Sequence, residues 1–249
     1  MRLTVVGCAG TFPGPDSPCS AYLIEHDGYR LVLDLGNGAV GNLHRVGDLL
    51  DVDAVVISHL HGDHCLDLVG YAYARRYDPR GEPAQLPVWG PVGLRDRIMT
   101  SFDRPRPDMV DSTYTFTDIG DGTQLEIGPF RISTSRTIHP IECYAVRFEA
   151  GGKSLTYSAD SGSCDSLVEH ARGSDLFLCE ASYADGVENP TGVHLTGSEA
   201  ADHAKRADVG RLVITHQVPW NDPAETMERA SAGFPGPVEE ARVCSSYEV

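Results

Sequence analysis

The stretch Ala54-Val55-Val56-Ile57-Ser58-His59-Leu60-His61-Gly62-Asp63-His64 opens with four apolar residues and closes with three imidazoles and one carboxylate inside six positions. A short continuous apolar run reads as a buried strand, so the polar residues sit in the loop at its end. Imidazole nitrogen and carboxylate oxygen are good zinc ligands, at about 2.0–2.2 Å. On a helix only residues three or four apart face one another, so His59, His61, Asp63 and His64 demand an irregular loop. Gly62 supplies the backbone freedom to turn it. A single histidine reads as a surface group; a compact cluster behind a buried strand reads as a metal site.

Three more ligand-type residues each follow an expected strand: His139 after Phe130 to Ser135, Asp160 after Ser154 to Ser158, and His216 after Arg211 to Thr215. Five histidines and two aspartates can hold two metals, with one carboxylate bridging and room left for water, as a catalytic site requires. Upstream, strands are expected at Leu3 to Val6, Ala21 to Glu25 and Arg30 to Leu33, and helices near Gly41 to Leu50 and Leu66 to Tyr77. The segment Asp78 to Asp111 is rich in proline, arginine and glycine, with one expected strand (Leu86 to Trp89) and one expected helix (Val92 to Ser101). It reads as a short surface insertion in a single domain spanning 1–249. Later strands are expected at Tyr114 to Phe116, Tyr144 to Glu149 and Leu176 to Cys179, and helices at Ser163 to His170, Gly197 to Ala207 and Pro223 to Ala232. Strands first and alternating units later suggest sheets covered by helices.

Several residues take a plain reading. His26, His44, His170 and His203 read as surface groups. Trp89 and Trp220 read as packing residues, although Trp220, close after His216, is placed to line a site mouth. Tyr71, Tyr73 and Tyr77 read as a helix face packing toward the pocket or a partner subunit. Arg75, Arg76 and Arg80 are the one basic group near the site and read as a solvated face.

His-x-His-x-Asp-His followed by a lone His, a lone Asp and a final His resembles the metallo-β-lactamase-fold superfamily. The likeness extends to the opening Val5-Val6-Gly7-Cys8-Ala9-Gly10 turn and to Leu33-Asp34-Leu35-Gly36. It implies an α+β fold, a four-layer αβ/βα sandwich. It implies two Zn2+ ions, with Mn2+ or Fe2+ as substitutes: one held by His59, His61 and His139, the other by Asp63, His64 and His216, and Asp160 bridging. Asp175-Leu176-Phe177-Leu178-Cys179-Glu180-Ala181 followed by His194-Leu195-Thr196 is similar to the phosphodiesterase branch, typified by the transfer-RNA 3′-processing endonuclease. That likeness implies that Glu180 pairs with His194 and that His194 faces the scissile phosphate. The implied reaction is attack of a metal-bound hydroxide on phosphorus, with Asp63 or Asp160 orienting it and His194 protonating the leaving oxygen.

Within this branch the endonucleases continue their first motif with a Gly-Leu-Pro-Gly-Leu-like segment, whereas here Cys65-Leu66-Asp67-Leu68-Val69 follows His64. The long basic arm that grips transfer RNA has no counterpart. The formal net charge of -16 also disfavours a nucleic-acid polymer. The chain more closely resembles small cyclic-nucleotide phosphodiesterases, so a 3′,5′-cyclic AMP-like substrate is expected, with no stable nucleic-acid partner. Transfer-RNA cleavage, hydrolysis of a lactone, thioester or sulfate ester, and an iron-binding redox or sensor role are the alternatives, in that order. The resemblance further implies a homodimer. No apolar run approaches the roughly 20 residues of a membrane helix. The start of the chain lacks secretory-signal features. Seven scattered cysteines contain no Cys-x-x-Cys pair. These features make a cytoplasmic protein without disulfides the expectation.

Overall fold

A computed structural model describes residues 1–249. Strands β1 (Arg2–Gly7), β2 (Ala21–His26) and β3 (Tyr29–Leu35) form an antiparallel meander. Helix α1 (Ala39–Val46) then crosses over to β4 (Ala54–Val56), which runs parallel to β3. A single helical turn, α2 (Gly62–Cys65), and α3 (Asp67–Arg76) lead to β5 (Leu86–Pro91). Helices α4 (Leu94–Met99) and α5 (Pro107–Thr113) precede β6 (Tyr114–Ile119), which closes the parallel half of the first sheet.

The second sheet begins with the antiparallel strands β7 (Gln124–Ile127), β8 (Phe130–Arg136), β9 (Tyr144–Ala150) and β10 (Lys153–Tyr157). Helix α6 (Asp165–Ala171), β11 (Leu176–Glu180), α7 (Gly197–Arg206), β12 (Leu212–Thr215), α8 (Pro223–Gly233) and β13 (Val238–Glu240) extend it in parallel. The last strand, β14 (Ser246–Glu248), returns to pair with β1. Each sheet thus has seven strands, in the orders β14-β1-β2-β3-β4-β5-β6 and β13-β12-β11-β10-β9-β8-β7.

Alternation along the strands explains the layering. In β3, Leu31 and Leu33 face the second sheet, where they join Leu3, Val146, Phe148 and Leu155 in a shared core. Val32 faces the other way, onto α1 and α3, and Leu35 joins it there because the left-handed Asp34 (φ 54°) breaks the alternation. The outer face of the second sheet is covered likewise by Leu167, Leu195, Ala200 and Ala204 from α6, α7 and the segment before α7. Period-2 strands buried on both faces, each covered by helices with one apolar stripe, give helix, sheet, sheet, helix in order. This is the expected four-layer α+β sandwich. All seven cysteines are unpaired. No helix is long and apolar enough to cross a membrane.

The segment 78–111 departs from its reading as a surface insertion. Its strand β5 lies inside the first sheet, pairing Val88 and Trp89 with β4 and its whole length with β6. Leu94, Ile98, Met109 and Val110 of α4 and α5 are buried in the layer covering that sheet. His203 also departs: it is fully buried, donating from Nδ1 to Glu199 O at 2.7 Å and accepting from the Cys164 amide at 3.2 Å.

Candidate metal centre

The connections that follow β4, β8, β10 and β12 converge and carry every expected metal ligand, and the one after β11 carries His194. The loop after β4 is irregular only as far as His61. That residue is extended, and Gly62 starts the one-turn helix α2 that carries Asp63 and His64. The predicted all-irregular loop is therefore corrected: two of its four ligands are helical.

The donor atoms form two groups sharing Asp160. His59, His61, His139 and Asp160 make the first; Asp63, His64, His216 and Asp160 make the second. Within each group the ligand atoms lie within 4.8 Å of one another. Asp160 Oδ2 is 3.5 Å from His59 Nε2 and 3.8 Å from His139 Nε2. Its Oδ1 is 3.3 Å from both His64 Nε2 and His216 Nε2. Donors about 2.0–2.1 Å from a tetrahedral ion are about 3.3–3.4 Å apart, so these edges fit a divalent cation in each group.

A second observation points the same way. His59 Nε2, His64 Nε2, His216 Nε2 and Asp160 Oδ1 are buried without any hydrogen-bond partner. Buried polar atoms are normally paired, and four orphans converging on two points need a shared ligand. The outer nitrogens explain why the lone pairs turn inward. The Nδ1–H groups of His59, His64, His139 and His216 are satisfied by Ser58 Oγ (3.0 Å), Asp34 Oδ2 (2.7 Å), Val193 O (2.9 Å) and Ser20 Oγ (2.8 Å). His61 instead turns Nδ1 inward, 3.1 Å from His139 Nε2. Such outer partners fix ring tautomer and orientation in metal sites.

Asp34 ties this shell together. Buried and at φ 54°, it accepts from the Ser58 amide (2.7 Å), Ser58 Oγ (2.8 Å), His64 Nδ1 (2.7 Å) and Tyr157 OH (3.1 Å). Sequence reasoning quoted it only within Leu33-Asp34-Leu35-Gly36 and missed its role; a carboxylate ending a buried strand was the available signal. Thr11, whose amide donates to Asp63 Oδ2 at 2.8 Å, was missed as well. Thr11, Asp34, Ala159 and His216 all adopt left-handed backbone at φ 51–66°. Each such non-glycine residue costs about 1–3 kcal/mol and persists where its surroundings over-determine it. Gly36 is required here too, since a Cβ would stand 1.9 Å from the Asp63 carbonyl.

The electrostatics suit neutral imidazoles around an ionised carboxylate. Burial pushes His139 and His216 down to about 4, against the pull of Asp160. Burial alone would raise the Asp160 carboxyl, but His216, His64 and His59 hold it well below the usual range. Burial opposes charge on His64 as well, yet Asp160 and Asp34 on its two sides raise it well above normal. A cation at Nε2 would answer the same carboxylates in place of that proton.

Beside Asp160 stands the expected pair. His194 Nδ1 donates to Glu180 Oε1 at 2.9 Å and lies 4.0 Å from Asp160 Oδ2. Glu180 is fully buried and also accepts the Ser161 and Ser182 amides at 2.8 and 3.2 Å. Burial disfavours the charged ring, but Glu180, Asp160 and Asp63 together raise His194 to about 9. Arg75, Arg76 and Arg80 contact Ala84 O, Glu82, and Asp48 with Asp78, not the cage. Arg75 is buried against the Tyr71 ring, so it is not part of a solvated face.

A two-sheet sandwich carrying this His/Asp cage at one end defines a metallo-hydrolase of the metallo-β-lactamase fold. The chain belongs to the β-lactamase superfamily, whose family model, a beta-lactamase superfamily domain, matches residues 29–217. It is 41% identical over 243 residues to an uncharacterised protein of Mycobacterium leprae, covering 96% of this chain and 85% of that one. It is 30% identical to the probable metallo-hydrolase YhfI of Bacillus subtilis, covering 97% of each. The crystal structure of YhfI superposes with a TM-score of 0.88 over 99% of each chain, at 28% identity. Ribonuclease Z of Clostridioides difficile is 26% identical over 291 residues, covering 94% of both.

Proposed function

We propose that this chain is a dinuclear, zinc-dependent phosphodiesterase acting on a small cyclic nucleotide such as 3′,5′-cyclic AMP. The observation that carries the reading is the His194–Glu180 pair beside the bridging carboxylate Asp160. A sugar alkoxide leaves poorly unless it is protonated, whereas a thiolate needs no such help. An imidazolium held beside the cage is therefore suited to a phosphate ester of a sugar hydroxyl.

The residues divide the work. Two bound divalent cations would supply Lewis acidity, polarising phosphoryl oxygens and making water a nucleophile near neutral pH. His59, His61 and His139 would hold one, Asp63, His64 and His216 the other, with Asp160 between them. Asp63 is fixed by the Thr11 amide at Oδ2, the oxygen that also faces His64 and His216 Nε2 at 3.6 and 3.8 Å, and would help to orient the attacking water. Glu180 keeps the His194 proton on Nδ1 and supports the charge of the doubly protonated ring. His194 Nε2–H then donates to the departing oxygen.

The relative named ribonuclease Z supports phosphodiester chemistry. The net charge of -16 favours a single phosphate over an RNA polymer. The test is turnover by zinc-loaded protein of 3′,5′-cyclic AMP, 2′,3′-cyclic AMP, bis-p-nitrophenyl phosphate and a precursor transfer RNA. Cyclic-nucleotide hydrolysis without RNA cleavage is expected. RNA cleavage would make the endonuclease reading the correct one, and no phosphodiester turnover would move the substrate to a lactone, thioester or sulfate ester.

A further inference from the structure

Trp220 is 71% exposed, more than the exposed tyrosines Tyr73 and Tyr77, and its ring packs on Phe12 with centroids 4.8 Å apart at 38°. Both rings sit on segments fastened to the cage. Phe12 follows Thr11, whose amide binds Asp63. Trp220 lies four residues after His216, and its neighbour Asn221 donates to Ser182 O at 2.8 Å while Ser182 Oγ donates to His216 O at 2.7 Å. The pair thus stands on two segments tied to Asp63 and His216 of the second donor group. Beside the indole is a cavity of about 460 Å³ lined by Asp185, Asp222, Glu225 and Glu228, with Arg229 as its one cation.

That surrounding charge says what part of a substrate can lie there. A second phosphate lying there would meet four carboxylates against one guanidinium, so the cavity favours an uncharged group. A flat heterocycle can stack on the indole, and carboxylate oxygens accept hydrogens from an exocyclic amine. We propose that Phe12 and Trp220 form the stacking platform for an amine-bearing purine, adenine above all, an inference that rests on the cyclic-nucleotide reading above.

The test compares zinc-loaded wild type with Trp220→Leu and Phe12→Leu on 3′,5′-cyclic AMP and on the baseless cyclic ribose phosphate. Removing an aromatic partner from a stacked base weakens binding by about fivefold to a hundredfold. In Trp220→Leu the rise in KM for cyclic AMP should therefore exceed the rise for the baseless compound by at least about fivefold. A second readout is fluorescence, because the chain has only two tryptophans, Trp89 and Trp220. AMP should quench wild type, ribose 5-phosphate should not, and the quench should vanish in Trp220→Leu. Equal losses on both substrates with no AMP-specific quench overturn the platform, and wild-type turnover of cyclic AMP would then leave the phosphodiesterase reading standing. If wild type does not hydrolyse cyclic AMP, that reading falls and the AMP quench alone decides the platform. Inosine monophosphate binding as tightly as AMP would overturn the amine preference. A dimeric wild type becoming monomeric in Trp220→Leu on sedimentation would assign the pair to a subunit contact and overturn the proposal.

Discussion

The two halves of the donor cage are held differently. In the second half, His64 and His216 are wholly buried, anchored by Asp34 and Ser20, and Asp63 is fixed by the Thr11 amide. In the first half, His59 has Ser58 behind it and His139 leans on one backbone carbonyl, while no side-chain hydrogen bond outside the cage holds the partly exposed His61. The second half is the preorganised one. The first is looser, and the His194–Glu180 pair stands on its side, nearest to Asp160 Oδ2. Under the proposed function, the second half would retain its cation and the first, through the partly exposed His61, would let water and substrate approach.

The largest expected effect removes the part that both halves share. Asp160→Ala should take zinc from two ions per chain to below one and lower kcat/KM by at least about a thousandfold. Metal analysis checks the first outcome. Retention of two tightly bound ions would show that the halves do not depend on a common carboxylate.

His194→Ala comes next and leaves both halves intact. General acid catalysis contributes about 10²–10⁴-fold, so kcat should fall by at least about a hundredfold with zinc content unchanged. The pH profile gives the sign. The donor form of His194 is present below its folded value of about 9 and is lost as pH rises through it. Cations bound beside Asp160 would lower that value, so wild-type kcat should decline on an alkaline limb at or below pH 9, and the limb should be absent in the variant. Full activity in His194→Ala would remove the pair from the chemistry.

Most of this centre was legible because its signals are local. His59, His61, Asp63 and His64 occupy one short stretch; His139 and Asp160 follow runs that alternate apolar and polar residues, and His216 follows a continuous apolar run, all of which read as strands. The anchors were not legible, because Asp34 meets His64 across 30 residues and Ser20 meets His216 across 196. The short edge strands β13 and β14 carry exposed polar residues, so their sequences show no alternation; pairing alone defines them. The segment 78–111 misled because proline marks loops. Here β4 is only three residues long and reaches only Val88 and Trp89, so Pro87 and Pro91 lie beyond its ladder and cost no hydrogen bond to it.

Asp34→Asn sharpens the contrast between the halves. An outer partner of a metal ligand is typically worth 10–100-fold in affinity. Zinc in the second position should therefore weaken by about that factor, with the first position less affected. Stepwise chelation read by metal content gives the test. Wild type should release one ion clearly before the other, and in Asp34→Asn the two steps should draw together. Simultaneous release from wild type would mean that the halves are equally held.

The smallest effect probes the scaffold under His194. Thr196 caps α7 by accepting the Glu199 amide at 3.2 Å, and Glu199 Oε2 accepts the Thr196 amide at 2.9 Å. Losing such a cap costs about 1 kcal/mol, which for a domain of this size lowers Tm by about 2–4 °C. Thr196→Ala should show that drop in a thermal melt, and Thr196→Ser should recover most of it because the hydroxyl is retained. Zinc content should not change in either variant, since no ligand lies on α7. If kcat falls in Thr196→Ala with Tm barely moved, the cap positions His194 more than it stabilises the helix, and the catalytic side of the cage then depends on a helix terminus that the retaining side does not use.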